Sequence, residues 1–299
     1  MWRLPRSLLI ATASVGAATL ALSPSRIASS SPPAPADPPG ILREHRTQQP
    51  FLQSRKLPGG GPGSTFTLLG TNVRCMLGWC RLPAARGYAF ALYADARALG
   101  AAARAAASQP AEADSLLPLL DAAQRGEAGE LALVLSMARP IAGSHLTNGL
   151  QKSVLQRVKA LAARAGGSTA GEASSALAAE ETREVMALAQ AFARLPDFAP
   201  GDEVAFVWRA GGALAVSVRG ELLPVRIAQP RVARALFDTY CGPLEQSPKP
   251  VSTRGKQTFE RNVKAIAAAL PPASLAEGNP AALARVHEIV VAEHNSRVK

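Results

Sequence analysis

Cysteine, aromatic side chains and charge are all scarce in this chain, and each scarcity narrows the class of protein. Three cysteines in 299 residues, Cys75, Cys80 and Cys241, exclude a disulfide-built scaffold. No further cysteine or histidine pair frames Cys75 and Cys80 at zinc-ligand spacing, so we expect small buried thiols. With 47% hydrophobic, 18% charged and 5% aromatic residues, the alanine-rich composition favours a sizeable core and helix-rich packing.

Acidic residues are missing from the first 36 positions, whose only charges are Arg3, Arg6 and Arg26. An acid-free, Ser-rich leader that carries arginines is typical of a mitochondrial import signal, with a plastid signal as the alternative. Two other interpretations of the apolar stretch Leu8–Leu22 stay open. It has the character of a secretory signal core, against which the few cysteines weigh mildly. It could also associate with a membrane as a short anchor, although 15 residues are few for a span.

The net charge of +11 reflects 33 Lys and Arg residues against 22 Asp and Glu residues. Nucleic-acid-binding modules usually interleave basic and aromatic residues or carry a recognisable motif, and neither is present, so we expect no nucleic-acid partner. The basic residues between Lys249 and Lys264 predict a solvated helix face. Contact of this face with anionic lipid head groups is left open.

Two Pro-rich tracts divide the chain. Ser29–Pro39 is typical of an extended linker. The glycines of Pro58–Gly63 are followed by no Lys-Ser or Lys-Thr pair, so they predict a loop and not a phosphate-binding motif. We therefore expect a targeting leader with its Pro/Ser linker over residues 1–40, a flexible linker over 41–63 and a folded domain over 64–299.

Hydrophobic periodicity predicts strands, then helices, then a β-meander, then further helices. The expected strands are 65–74, 86–94, 130–137, 203–209, 213–219 and 222–227. The expected helices are 95–107, 141–164, 174–194, 230–240, 253–270 and 280–294. The clearest hairpin turns at Gly211-Gly212, between two strands of alternating apolar residues. This order is typical of an α+β fold and not of the regular alternation of a doubly wound sheet.

Three segments of the chain resemble the chalcone isomerase family. Thr67–Arg74 followed by Gly87–Tyr93 is similar to its opening strands, and Ser144–Gly149 is similar to the ligand-facing helix of its fungal and protist mitochondrial relatives. Ala235–Gly242 with Ser247-Pro248 resembles its closing helix and loop. The resemblance covers roughly residues 64–270. It implies a large antiparallel β-sheet covered by a layer of α-helices, an open-faced sandwich with a ligand cleft between sheet and helices.

The resemblance also implies which residues bind a ligand. Arg74 matches the cleft arginine, Thr239 matches a threonine that contacts the substrate, and Tyr240 stands at the neighbouring specificity position. Gly149 lies on the ligand-facing helix. Because an arginine guanidinium is planar and charged, it suits an anionic group held in an apolar cleft.

Three positions depart from the catalytic pattern of the plant enzymes, which close a flavanone ring by attack of a phenolate on an enone. His145 stands where they have a tyrosine, Lys152 where they have an asparagine, and Tyr88 where a threonine helps to polarise the ketone. Periodicity places His145 and Lys152, seven residues apart, on one helix face. We include Tyr88, His145 and Lys152 among the expected ligand-binding residues.

The resemblance leaves two classes of function open. The substituted acid and base groups resemble the non-catalytic branch of the family, which implies binding of a fatty acid or similar small amphiphile without flavonoid turnover. The alternative is an isomerase, an intramolecular lyase acting on a phenolic or enone substrate, with Arg74, Tyr88 and His145 as the candidate catalytic residues. We expect no cofactor and no metal. A weaker alternative is haem with His145 as axial ligand, although no Cys-x-x-Cys-His motif is present.

Overall fold

The computed structural model describes residues 40–75, 80–108, 116–165, 172–242 and 251–297. The expected leader, the glycine-rich break at 166–171 and the Ser247-Pro248 loop lie outside these ranges. Within them, no helix combines the length and the apolar character that crossing a bilayer requires. The described residues belong to one compact unit.

The described residues form nine strands, eight α-helices and a short 3-10 turn at Pro83–Ala85. The strands are β1 (Ile41–Arg43), β2 (Pro50–Leu52), β3 (Ser54–Arg55), β4 (Phe66–Cys75), β5 (Arg86–Ala94), β6 (Leu131–Met137), β7 (Glu203–Trp208), β8 (Leu214–Val218) and β9 (Glu221–Leu222). The helices are α1 (Ala96–Ala107), α2 (Leu116–Gln124), α3 (Gly143–Ala165), α4 (Glu172–Ala193), α5 (Pro230–Cys241), α6 (Thr253–Ala269), α7 (Pro272–Ala276) and α8 (Pro280–Asn295).

Strands β3 to β9 form one seven-stranded antiparallel sheet in which each strand pairs with the next along the chain. Strands β1 and β2 form a separate antiparallel pair. The predicted α+β class and large antiparallel sheet are therefore confirmed. The expected third meander strand over 222–227 is shorter, since only Glu221–Leu222 pairs with β8 and Ile227 forms a single bridge to Leu214.

Side chains at the helix starts explain why the predicted boundaries hold. The Asp95 carboxylate accepts a hydrogen bond from the Ala98 amide at 2.7 Å, and the Ser252 hydroxyl accepts one from the Gly255 amide at 3.0 Å. Each bond satisfies a backbone donor that has no partner within its own helix, which typically stabilises the helix by about 1 kcal/mol. Helices α1 and α6 therefore begin where the sequence offers these caps.

Aromatic packing joins one face of the sheet to the helices. The Phe90 ring of β5 lies 5.0 Å from the Tyr240 ring of α5 and 5.9 Å from the Phe259 ring of α6. Trp208 of β7 lies 5.3 Å from Phe237 of α5, measured between ring centroids. These separations suit tilted and edge-on aromatic contacts, and all five rings are almost fully buried. The core therefore lies between the sheet and helices α5 and α6.

The opposite face of the sheet is covered by residues 41–63. The Tyr93 hydroxyl donates to the Leu52 carbonyl at 2.9 Å, and the Ser136 hydroxyl donates to the Gln49 side-chain oxygen at 2.8 Å. Gly59 lies so close to β8 that a Cβ atom there would stand 2.5 Å from the Cβ atom of Ala215. This segment therefore belongs to the folded unit.

The prediction of a flexible linker over 41–63 is wrong. Leu42, Phe51 and Leu57 are 5%, 1% and 7% exposed, and the segment contributes β3 to the main sheet. Its strands are two or three residues long, too short to show an alternating pattern beside so many prolines and glycines. Packing against the sheet face gives this segment a defined structure, which its composition does not indicate.

A bulge in β4 allows α6 to pack closely on the sheet. The pairing of β4 with β5 shifts between Leu68 and Gly70, and Gly70 has a φ of 153°. A Cβ atom at Gly70 would lie 3.0 Å from Nδ2 of Asn262, which donates a hydrogen bond to the Leu69 carbonyl at 2.6 Å. A glycine is favoured where backbone approaches this closely. Helix α6 begins beside the carboxyl end of β4.

Cys75 and Cys80 form a disulfide, with a Cα–Cα distance of 5.1 Å. The prediction of two reduced thiols is therefore wrong. Cys75 ends β4 and Cys80 lies on the return towards β5, so the change of direction between antiparallel strands brings the two sulfur atoms together. The third cysteine, Cys241, is a free thiol and is buried.

Candidate functional site

A cleft of about 300 Å³ opens between the helix-facing side of β4 and β5 and helices α3 and α5. Its described lining combines polar and apolar side chains: Arg74, Gly87, Tyr88, Arg139, Ile141, His145, Leu146, Gly149, Leu150, Ser153, Thr239, Tyr240 and Val251. Six of the seven residues expected to bind a ligand are thus brought together at one place. Lys152 is the exception.

Arg74 lies near the end of β4, directly opposite Tyr88 of β5 in the strand register. Its Nη1 atom donates a hydrogen bond to the Val251 carbonyl at 2.7 Å, which fixes the orientation of the guanidinium. A guanidinium has five N–H donors in a planar fork, and this bond uses one of them. Because the side chain is only partly buried, its remaining donors can reach a ligand in the cleft.

The hydroxyl oxygens of Tyr88 and Tyr240 lie 3.0 Å apart and form a hydrogen bond. Burial raises the pKa of Tyr88, an effect that Tyr240 and Arg74 partly offset. Burial also raises the pKa of Tyr240, and the neighbouring Tyr88 raises it further. Both hydroxyls are therefore protonated at neutral pH. The pair has two protons and uses one in their mutual bond, so the other can be donated to an oxygen of a ligand.

Thr239 lines the cleft from α5, but its hydroxyl proton is already used. The Oγ1 atom donates to the Ala235 carbonyl one turn earlier, at 3.0 Å, and the residue is 1% exposed. Threonines in helices often make this bond to the carbonyl of the preceding turn. The structure therefore confirms the position of Thr239 beside the cleft and leaves its hydroxyl only as an acceptor.

Helix α3 forms the opposite wall. His145, Gly149 and Ser153 line the cleft at spacings of four residues, with the buried Leu146 and Leu150 beside them. Four residues advance a helix by slightly more than one turn, so this row follows one face. His145 is exposed, which places it where the cleft meets solvent.

Lys152 does not line the cleft, and its side chain is exposed on α3. The expectation that it shares the ligand-facing surface with His145 is therefore not met. An α-helix turns by about 100° per residue. Around the helix axis, the position seven residues after His145 therefore falls slightly behind His145, whereas Gly149 and Ser153 fall ahead of it, on the side of the cleft. His145 already stands at the margin of this face, so Lys152 falls outside it.

Arg139 is a second arginine of the cleft, and sequence reasoning missed it. Met137 of β6 pairs with Tyr88, and Arg139 follows two residues later, just beyond the strand end. Its Nη1 atom donates to the Ala84 carbonyl at 2.8 Å. The period of two along a strand was the available signal, because residues 137 and 139 share the side on which Tyr88 lies.

Positive charge predominates in the cleft. Arg74 and Arg139 line it, and none of the described lining residues is Asp or Glu. A further arginine, Arg157, is buried on α3, where burial lowers its pKa and the nearby Asp238 opposes that effect. Asp238 itself is paired with Arg234, Oδ1 to Nε, at 2.9 Å. The Asp238 carboxylate is therefore already paired, and the cleft favours an anion.

The described residues contain no group of three or more His, Cys, Asp or Glu side chains that could hold a metal ion. A cleft of about 300 Å³ lies at the lower end of ligand-binding cavities, which span roughly 300–1,000 Å³. This volume and the exposed position of His145 suit a slender ligand better than a wide macrocycle such as haem.

The fold is that of the chalcone isomerase-like proteins. A solved structure with which this chain aligns is the fatty-acid-binding protein AtFAP1 of Arabidopsis thaliana, with a TM-score of 0.53 over 79% of this chain and 98% of that chain. The two sequences are 17% identical over the alignment, so the likeness establishes the shared fold. No protein-family model matches the chain. No curated protein sequence matches it either.

Proposed function

We propose that this protein binds a fatty acid or a similar small anionic amphiphile in the cleft, without flavonoid turnover. The observation that carries the proposal is the combination of two arginines, apolar walls and no carboxylate among the described lining residues. The Arabidopsis structure of the same fold is that of a fatty-acid-binding protein, which supports this ligand class.

The head group would lie between Arg74 and the tyrosine pair. A carboxylate has two acceptor oxygens, one suited to the guanidinium of Arg74 and the other to the hydroxyl proton that Tyr88 and Tyr240 leave unused. Hydrogen bonds to charged groups are typically worth about 1.5–3 kcal/mol. The cleft thus offers two kinds of donor for one anionic head.

The tail would lie along the apolar walls formed by Ile141, Leu146 and Leu150. All three side chains are at least nine-tenths buried even without a ligand, so the surface they present is already formed. Each CH₂ group transferred from water into such surroundings contributes about 0.8 kcal/mol. A chain of several CH₂ groups would therefore add as much affinity as the charged head.

Binding is favoured over proton-transfer catalysis by the tyrosine environment. A general base works best with a pKa near the operating pH. Burial raises the pKa values of both Tyr88 and Tyr240 above that of a free phenol, which moves both hydroxyls further from such a role. The two hydroxyls are suited to donate a hydrogen bond to a ligand that is bound without reacting.

The test is fatty-acid titration of Arg74→Gln by calorimetry, with Lys152→Gln as the matched control. Both variants lose one positive charge, but Arg74 lines the cleft and Lys152 does not. We expect Arg74→Gln to weaken laurate or palmitate binding by about 1.5–3 kcal/mol. Lys152→Gln should leave the affinity unchanged. Equal affinities for the two variants, or no binding by the unaltered chain, would contradict the proposal.

For localisation, we propose import into mitochondria through the acid-free leader. The Cys75–Cys80 disulfide removes the argument from cysteine content against secretion, because disulfides persist in oxidising compartments. A reporter fused to residues 1–40 separates the two routes. Delivery of that reporter to mitochondria supports the proposal, and delivery to the secretory pathway contradicts it.

A further inference from the structure

A second cavity, of about 320 Å³, lies between the β1–β2 hairpin and the last turns of α8. It shares no lining residue with the cleft. Arg43, His45 and His294 line it, and none of its described lining residues is Asp or Glu. The two histidine rings meet edge to face, with 6.4 Å between their centroids. A basic and partly enclosed cavity of this kind favours an anion.

Further arginines crowd around this cavity. The Nε atom of Arg46 lies 3.2 Å from Nε2 of His45, to which it donates a hydrogen bond. Burial lowers the pKa of Arg46, and the charge of Arg254 lowers it further. The pKa of Arg297 is likewise lowered by burial and then by neighbouring arginines, Arg254 among them. Neighbouring positive charges lower one another's pKa in this way, and a bound anion would oppose the effect.

The carboxylates that face this cluster are already engaged. Glu44 is fully buried, and its Oε2 atom accepts hydrogen bonds from the Arg46 amide at 3.0 Å and from the amide and hydroxyl of Thr47, both at 2.8 Å. Its Oε1 atom lies 2.9 Å from Nδ1 of His45. Glu293 faces Arg261, with 3.8 Å between the charged atoms. The cluster therefore retains an excess of positive charge.

The hairpin turn that follows Arg43 and carries His45 is held in one conformation. The Glu44 amide donates to the Gln49 carbonyl at 2.9 Å, and the Gln48 side chain donates to the His45 carbonyl at 2.9 Å. Gln48 adopts a φ of 60°, which a residue with a side chain rarely does. Such strain persists only where the surroundings impose it. The basic groups are thus positioned before any ligand arrives.

We propose that this cavity is a second binding site, specific for a phosphate-type oxyanion. A phosphate group presents several strong acceptor oxygens and close to two negative charges, which suits a site rich in arginines. A metal cation does not fit, because Nε2 of His45 already accepts a hydrogen bond from Arg46 and the surrounding guanidinium groups would repel it. The phosphate could belong to a soluble phosphomonoester or to a lipid head group.

Calorimetric titration with inorganic phosphate at constant ionic strength tests the site. The test variant is Arg43→Gln/Arg254→Gln, and the control is Arg183→Gln/Arg285→Gln. All four arginines are exposed, and each variant loses two positive charges. We expect saturable one-to-one binding that the test variant weakens at least tenfold and the control does not weaken. Absence of saturable binding, or equal weakening in both variants, would overturn the proposal.

Vesicle sedimentation distinguishes the two sources of phosphate. Vesicles of phosphatidylcholine with phosphatidic acid present phosphomonoester head groups, and vesicles of phosphatidylcholine alone do not. Retention only by the first, lost in Arg43→Gln/Arg254→Gln and reversed by soluble phosphate, supports a lipid head group at this site. Binding of soluble phosphate without retention supports a soluble ligand. Retention that the test variant does not reduce, together with unchanged phosphate binding, would overturn the site.

Discussion

Tyr88 and Tyr240 approach from opposite sides of the cleft, one on β5 and one on α5, and meet hydroxyl to hydroxyl at 3.0 Å. The contact joins the sheet to the helix layer at the point where Arg74 lies across the strand pair from Tyr88. This hydrogen bond therefore holds α5 against the sheet and also shapes the wall of the candidate site.

Tyrosine ionisation gives the first prediction. The chain has three tyrosines, Tyr88, Tyr93 and Tyr240, and burial raises the pKa of each. The folded protein therefore keeps phenolic protons that the unfolded chain releases near pH 10. Stability should be unaffected by these groups below about pH 10 and should fall as pH rises above it.

Spectrophotometric titration checks this prediction. Tyrosinate absorbance should stay low through about pH 10 in the folded protein and should then appear together with unfolding. The same chain in denaturant should titrate near pH 10 as a control. A non-cooperative rise in absorbance near pH 10, with the fold intact, would show that at least one tyrosine is open to water.

A second prediction concerns the turnover of flavonoid precursors. Tyr88, His145 and Lys152 differ from the residues of the catalytic pattern, and no described lining residue of the cleft is a carboxylate that could act as a base. Naringenin chalcone should therefore cyclise no faster with this protein than in buffer. A plant chalcone isomerase serves as the positive control. Saturable acceleration that Arg74→Ala abolishes would establish the isomerase alternative instead.

A third prediction tests the contribution of residues 41–63 to the fold. Phe51 is 1% exposed and its neighbour Leu52 is 45% exposed, so the two positions form a matched pair. Phe51→Ala should lower the free energy of unfolding by about 3–5 kcal/mol, because it leaves a cavity against the sheet. Leu52→Ala should change it by less than about 0.5 kcal/mol. Urea denaturation of both variants measures the difference, and equal values would support a linker.

The fourth prediction concerns the Cys75–Cys80 disulfide. Without reductant, alkylation of the unfolded chain followed by mass spectrometry should label Cys241 alone. After reduction, all three cysteines should be labelled. Reduction should also lower the free energy of unfolding by about 2 kcal/mol, since the closed loop is short. Three labels without reductant would contradict the disulfide.

The sequence predicts the central elements well because their signals are local. Alternation along Glu203–Trp208 and a helix cap at Asp95 report directly on neighbouring residues. The short strands β1 to β3 have no such signal, because their order comes from a sheet face formed by residues far along the chain. Composition alone therefore assigned this segment to a linker.

The residues of the candidate site likewise divide into those that the sequence predicts and those that only the three-dimensional structure shows. Arg74, Tyr88, His145, Gly149, Thr239 and Tyr240 were predicted because they lie in segments that resemble a known family. Arg139 was missed because it lies two residues beyond the end of β6, where the alternation of the strand was not extended to it. The disulfide was missed because its geometry depends on the return of the chain between β4 and β5.

The order of the sheet has a consequence for how the chain acquires its structure. Since every strand from β4 to β9 pairs with the strand before it, a chain that emerges amino end first can add these strands one at a time. The contact between the β1–β2 hairpin and α8 is different, because it joins elements far apart in the chain and can form only after α8 has been synthesised. The basic cavity at that junction needs both the hairpin and α8 in place, so an anion bound there would report that this contact has formed.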